Sequence, residues 1–138
     1  MDEQRFVPMV AYEDASRAAE WLTRAFGFTE KERFSDRNGR VTDVVLALGD
    51  EFLLAGAPTT AYQGPRRHAA SCAQARAWLD TPYIVDGVLV YVDDVDAHHE
   101  RAVREGARIL SELEENPLQR QYRCEDLEGH RWMFATRH

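Results

Sequence analysis

At 138 residues and 15.8 kDa the chain has the size of one globular domain, long enough to bury a core. Its hydrophobic share of 44% and charged share of 30% exclude a disordered or fibrous chain. A formal charge of −7, from 17 Lys and Arg against 24 Asp and Glu, argues against nucleic acid and anionic membrane surfaces as partners and mildly favours a cationic ligand.

Residues 6–12 are apolar and β-prone and run into Glu13 and Asp14, which suit a helix N-terminus. Over 15–26, Ala18, Ala19, Leu22, Ala25 and Phe26 recur at helical spacing, and Gly27 supplies the stop. Strands are expected at 29–34 and 41–48, joined by the turn-prone stretch from Asp36 to Gly39, and at 51–55 after Gly49 and Asp50. The second half reads the same way. A strand at 87–92 precedes a helix over 94–105 that Gly106 ends, followed by strands at 108–113, 121–125 and 130–136, with a turn at 126–129.

Sliding the chain by 80 residues places Val10 on Val90, Asp14 on Asp94, Glu20 on Glu100, Arg24 on Arg104, Gly49 on Gly129 and Ala55 on Ala135. These are strand, cap and turn positions that a duplicated unit has to keep. The expected organisation is therefore one domain over 1–138. Its first β-α-β-β-β module spans about 5–56, an insertion about 57–83, and a second module about 84–138. The insertion exceeds ordinary loop length, and a short helix over 71–79 would put Cys72, Ala75 and Leu79 on one face with Trp78 beside them. Cys72 and Cys124 read as free structural thiols. No apolar run reaches the length of a membrane span and residues 1–5 lack a signal-peptide pattern, so a cytoplasmic location is expected.

The segments VYVDDVDA (90–97) and DLEGHRWMF (126–134), with the weaker VAYED (10–14) and RAFGF (24–28), resemble the vicinal oxygen chelate superfamily of glyoxalases, extradiol dioxygenases and bleomycin-resistance proteins. Leu127 stands where that family's turn usually has proline. The resemblance implies an α+β fold in which two βαβββ modules form a curved mixed sheet around a cleft, and a homodimer. It also implies that metal-dependent members take one ligand seven residues before each capping Asp and a Glu four residues after each turn Gly. Those positions here are Val7, Leu53, Gly87 and Met133. None offers the nitrogen or oxygen that a divalent ion needs, so no metal and no other cofactor is expected.

Strand alternation from these anchors sends Val7, Met9, Ala11, Glu51, Leu53, Ala55, Gly87, Leu89, Tyr91, Arg131, Met133 and Ala135 to the cleft and the intervening residues to the helices. Val7, Met9, Glu51, Leu53, Leu89, Tyr91, Arg131 and Met133 are the candidate ligand-binding residues, apolar with a few polar groups. An ion pair between Glu51 and Arg131 is an equally good account of those two. His98, His99 and Glu100 read as a solvated helix face, His68 and Cys72 as a weak nucleophile candidate, and Trp78 as a core anchor. The expected function is metal-independent binding of a small molecule, cationic or aromatic, of the kind that sequesters a drug or metabolite. The alternative is a metal-dependent glyoxalase-like lyase, isomerase or dioxygenase with relocated ligands.

Overall fold

The computed structural model describes residues 4–81 and 86–138, so the expected boundary at 83–84 lies outside the described residues. Two compact units divide the chain, Met1–Gly64 and Pro65–His138. In the first, β1 (Met9–Ala11), α1 (Ala15–Phe26), β2 (Thr29–Ser35), β3 (Val41–Leu48) and β4 (Glu51–Gly56) build a four-stranded mixed sheet of order β1-β4-β3-β2. β1 runs parallel to β4, and the remaining pairs are antiparallel. Parallel neighbours need a crossover, and α1 is that crossover's helical part.

Asp14 caps α1 by accepting from the Arg17 N–H at 3.0 Å, and Gly27 ends it in the left-handed region at φ 80°. Its apolar stripe buries Ala18, Ala19, Leu22, Ala25 and Phe26, with Trp21 packed edge-on against Phe26. Leu46, Leu53 and Ala55 lie on the helix side of the sheet. The strand expected over 6–12 contracts to Met9–Ala11. Pro8 has no N–H to donate, and the side-chain amide of Gln4 takes over the edge of β4 instead, donating to Phe52 O at 2.8 Å and accepting from Phe52 N at 2.6 Å.

In the second unit α2 (Pro65–Ser71) and α3 (Ala73–Asp80) precede β5 (Gly87–Tyr91), α4 (Val95–Arg104), β6 (Arg108–Glu115), β7 (Gln119–Glu125) and β8 (Arg131–Arg137). The sheet order is β5-β8-β7-β6, with β5 parallel to β8. Asp94 caps α4 through the Ala97 N–H. β7 starts two residues earlier than expected because Asn116 closes the preceding turn, its side-chain oxygen accepting from Leu118 N and Gln119 N. The insertion holds two helices broken at Cys72, and α2 went unseen in the sequence because its seven residues carry little apolar periodicity. Trp78 is about half exposed, not a core anchor.

The Asp126–Gly129 turn is where α2 docks. Asp126 Oδ1 accepts from Glu128 N and His130 N, and its Oδ2 from the buried Trp132 indole at 3.0 Å. Gly129 has φ 96°, and a Cβ there would meet the Arg66 backbone nitrogen at 2.9 Å, whereas Gly39, in the Asp36 turn between β2 and β3, has φ 82° and open space. Gly39→Ala should therefore cost only the left-handed backbone penalty of about 1–2 kcal/mol. Gly129→Ala should cost that and about 1–3 kcal/mol more for the displaced helix; equal losses in denaturant unfolding would refute the close approach.

Candidate functional site

Each sheet has one face covered by its own crossover helix and one face that this helix leaves open. Because paired residues share a face, the register assigns every strand residue to one side. In the second unit Gly87, Leu89 and Tyr91 on β5 pair with Arg131, Met133 and Ala135 on β8. These in turn pair with Glu125, Arg123 and Gln121 on β7, and Arg137 pairs with Gln119. The open face thus carries a row of alternate polar residues, Gln119, Gln121, Arg123 and Glu125, every one of them buried. The signal that marks this row is the period-two spacing of Gln119, Gln121, Arg123 and Glu125 in the sequence.

The row is hydrogen-bonded along its length. Tyr91 donates its phenolic O–H to Gln119 Oε1 at 2.8 Å, Gln119 Nε2 donates to Gln121 Oε1 at 2.7 Å, and Gln121 Nε2 reaches Glu114 at 3.3 Å. Arg137 lies 3.5 Å over the Tyr91 ring. Leu89, 47% exposed, and the half-buried Met133 give the same face an apolar centre.

At its other end, Arg131 is 4% exposed and is held by the C-terminus of α3, donating to Thr81 O at 3.1 Å and to Leu79 O. Its carboxylate neighbour is Glu125, 3.9 Å away within its own unit. Glu125 also meets Arg66 at 3.2 Å and Arg108 at 3.8 Å. Arg66 further donates to the Asp126 and Leu127 carbonyls. The burial of Arg131 holds its pKa below the ordinary value; Glu125 opposes that shift, and Arg123 and Arg108 add to it.

On the covered face, His98 and His99 do not form a solvated surface. His98 stacks on Phe134 with ring centroids 3.9 Å apart and its Nδ1 lies 2.6 Å from the Tyr122 hydroxyl, while the His99 ring meets Tyr122 edge-on. Tyr122 and Cys124 are fully buried neighbours on this side. Burial pushes the ionisation of both far above the ordinary phenol and thiol ranges, helped for Tyr122 by Cys124 and for Cys124 by Asp126 and Glu125.

In the first unit the register departs from the sequence reading by one residue. Met9 pairs with Leu54, and Val10 with Ala55. Leu53, 4% exposed, therefore sits on the helix-covered side, as does the line of Glu51, and Leu54 takes the place on the open face. The cause is the turn. Leu48 and Glu51 close a two-residue hairpin, whereas five residues separate Glu125 from Arg131. Sliding by 80 is thus one residue out for the last strand of the module, and the counterpart of Met133 beside β5 is Leu54 beside β1. Val7 lies just before β1, half-buried, and Met9 is 78% exposed. Met9, Ala11, Thr42, Asp43, Leu54 and Gly56 line a recess of about 300 Å³ on this open face.

The positions that would hold a divalent ion read Val7, Leu54 and, in the second unit, Gly87 and Met133; the register correction leaves the donor set without nitrogen or oxygen. Among the described residues no three His, Cys, Asp or Glu side chains gather as metal ligands. Aliphatic side chains, a glycine and a thioether do not fit a divalent metal ion.

The sequence matches the Glyoxalase/Bleomycin resistance protein/Dioxygenase superfamily over residues 6–134. TioX from Micromonospora sp. ML1 is 32% identical, with 96% of this chain and 95% of that chain covered and a TM-score of 0.70. TnmS3, described as an antibiotic binding protein from Streptomyces sp. CB03234, shares the fold at 18% identity, 99% and 98% coverage and a TM-score of 0.63. The fosfomycin resistance protein FosX from Listeria monocytogenes does so at 11% identity, 99% and 94% coverage and a TM-score of 0.63. No curated protein matches the chain.

Because Cys124 and Tyr122 stay protonated in the fold but ionise in the unfolded chain, the folded state binds more protons above their ordinary values of about 8.5 for the thiol and 10 for the phenol. Stability should therefore fall as pH rises through that window, and less so in a Cys124→Ala, Tyr122→Phe variant. Thiol titration of the native protein should find Cys124 unreactive until denaturant is added; rapid alkylation of Cys124 in the folded state would contradict its burial.

Proposed function

The chain belongs to the Glyoxalase/Bleomycin resistance protein/Dioxygenase superfamily, and from that premise we propose that it is a metal-independent small-molecule binder that sequesters a drug or metabolite. The observation that carries this reading is the donor set: the superfamily's metal positions hold aliphatic side chains, a glycine and a thioether, while the open faces keep the mixture of apolar surface and convergent polar groups that small ligands use. Without a Lewis acid to polarise substrate oxygens, binding is the activity that remains. The same fold serves antibiotic binding in TnmS3.

Leu89, Tyr91 and Met133 supply an apolar and aromatic patch, and Gln119 and Gln121 supply amide donors and acceptors beside it. A flat aromatic ligand suits this combination, stacking on side chains while its polar edge meets the amide row. In the first unit the recess around Met9 and Leu54 supplies apolar contacts of its own. Met9 and Phe34, 78% and 48% exposed, are apolar surface that a homodimer would cover. A sedimentation mass equal to the 15.8 kDa chain at micromolar concentration would argue against that dimer.

Met9 and Met133 report on the two open faces separately. Titrating methyl-labelled protein with an aromatic antibiotic or dye should shift one or both methionine methyl resonances, with affinity unchanged by EDTA. Binding that requires added zinc, nickel, iron or manganese, or turnover of the ligand once such an ion is supplied, would establish the metal-dependent reading instead.

A further inference from the structure

The recess on the first sheet owes its depth to small residues. Across the open face one row of paired positions reads Ala11, Gly56, Asp43 and Phe34. Gly56 lies in the regular backbone of β4, outside the left-handed region, so its conformation does not require glycine. What glycine supplies there is room: a Cβ would stand 3.2 Å from Asp43 Oδ1 and 3.7 Å from Thr42 O. Met9 and Leu54 pair two residues along on the same face, and with Ala57 and Pro58 they complete the wall of the space of about 300 Å³.

Asp43 is the one charged residue among the described residues that line this space. It is half-buried, and among the described residues its carboxylate accepts no hydrogen bond and meets no cation at ion-pair distance. Its neighbour Thr42 is committed elsewhere, the hydroxyl donating to Phe34 O and the carbonyl accepting from Ala57 N. None of the paired residues on this face is basic. The second sheet provides an internal comparison, because its corresponding row is Tyr91, Ala135, Gln121 and Glu114. There a tyrosine stands where the first sheet has Ala11, and Gln121, in the place of Asp43, is bonded to Gln119 and Glu114. At the equivalent position the first sheet has an open place and an unmatched carboxylate.

An ionised carboxylate accepts hydrogen bonds and donates none, and its strongest partners are charged donors. Small-ligand sites are mostly apolar, with a few placed polar groups that fix orientation, and in this recess the placed group is an anion. Phe34, 48% exposed, pairs with Asp43 on the side away from Gly56 and brings an aromatic side chain within reach of a cation held there. We infer that the recess binds the ammonium group of an organic cation, Asp43 taking the charge while Met9 and Leu54 take the apolar body beside it. This rests on the reading of the chain as a small-molecule binder and names the ligand class for it.

The test uses full-length protein labelled at its methionine methyls, at neutral pH and constant ionic strength, with Met9 reporting on the recess and Met133 on the second sheet. Two probes of like shape are compared, naphthylmethylammonium and the neutral naphthylmethanol. Expected is a saturable shift of the Met9 methyl, with the ammonium binding about tenfold tighter than the alcohol, the scale of one charge-assisted hydrogen bond. Asp43→Asn, which keeps the side chain's shape, should abolish that preference and leave the alcohol's affinity unchanged. Gly56→Ala, which keeps the charge and fills the space, should weaken the ammonium several-fold. Equal affinity of the two probes at Met9, a preference that survives Asp43→Asn, or full affinity in Gly56→Ala each overturns the inference and leaves the small-molecule reading standing. Probes that move Met133 but not Met9 do the same. Silence of both methionines toward both probes refutes the recess and the aromatic-binding reading together.

Discussion

The parallel pairing of the first strand of each unit with the last is the constraint on which the rest of the structure depends. Parallel neighbours cannot be joined by a hairpin, so a helix has to cross over, and it covers one face of the sheet only. α1 and α4 each fill that role, capped by Asp14 and Asp94 and closed on buried alanines, aliphatics and aromatics. Everything chemically distinctive lies on the other face: the amide row, the arginine and glutamate cluster, and the recess around Leu54. An antiparallel β1 would have removed the need for the crossover and, with it, the distinction between a covered face and an open one.

The second unit adds a buried ionic hub to this frame. Glu125 is reached by arginines from three elements, α2, β6 and β8, and Arg131 extends the network to the carbonyls at the end of α3. Only the Glu125–Arg131 pair is buried on both sides, the Arg66 and Arg108 side chains being 47% and 65% exposed; such a buried pair contributes little net stability over an apolar one, but removing one of its members leaves the other charge poorly solvated at a cost of about 3–5 kcal/mol. Its structural effect is positional. It fixes the segment from Pro65 to Asp80 against the Asp126 turn, where Arg66 also crosses the face of Gly129.

Most of the fold was legible because its signals are local. Capping aspartates, glycine stops and β-branched runs place both crossover helices and most strands within one or two residues. What was illegible depends on pairing across the chain. Whether Leu53 or Leu54 lies on the open face is decided by the length of the β3–β4 turn relative to its counterpart, and a one-residue change reverses every side chain beyond it. The histidines of α4 looked solvated because helical spacing alone does not reveal that Tyr122 and Phe134 wait beneath them. Net charge is likewise silent on placement, since −7 over the chain coexists with Arg123, Arg131 and Arg137 on one face of the second sheet. The row from Gln119 to Glu125 could have been found by carrying period-two reading through every strand.

Gln4 closes the exposed margin of β4 next to Phe52 with a side-chain amide in place of a strand. One residue thereby occupies the main-chain donor and acceptor that a foreign strand would use to add itself to the sheet. β1, only three residues long, leaves that stretch of β4 uncovered, so the safeguard against edge-to-edge aggregation rests on a residue outside the regular secondary structure. Shortening the chain before Phe6 would leave the fold's core untouched while making the protein more adhesive.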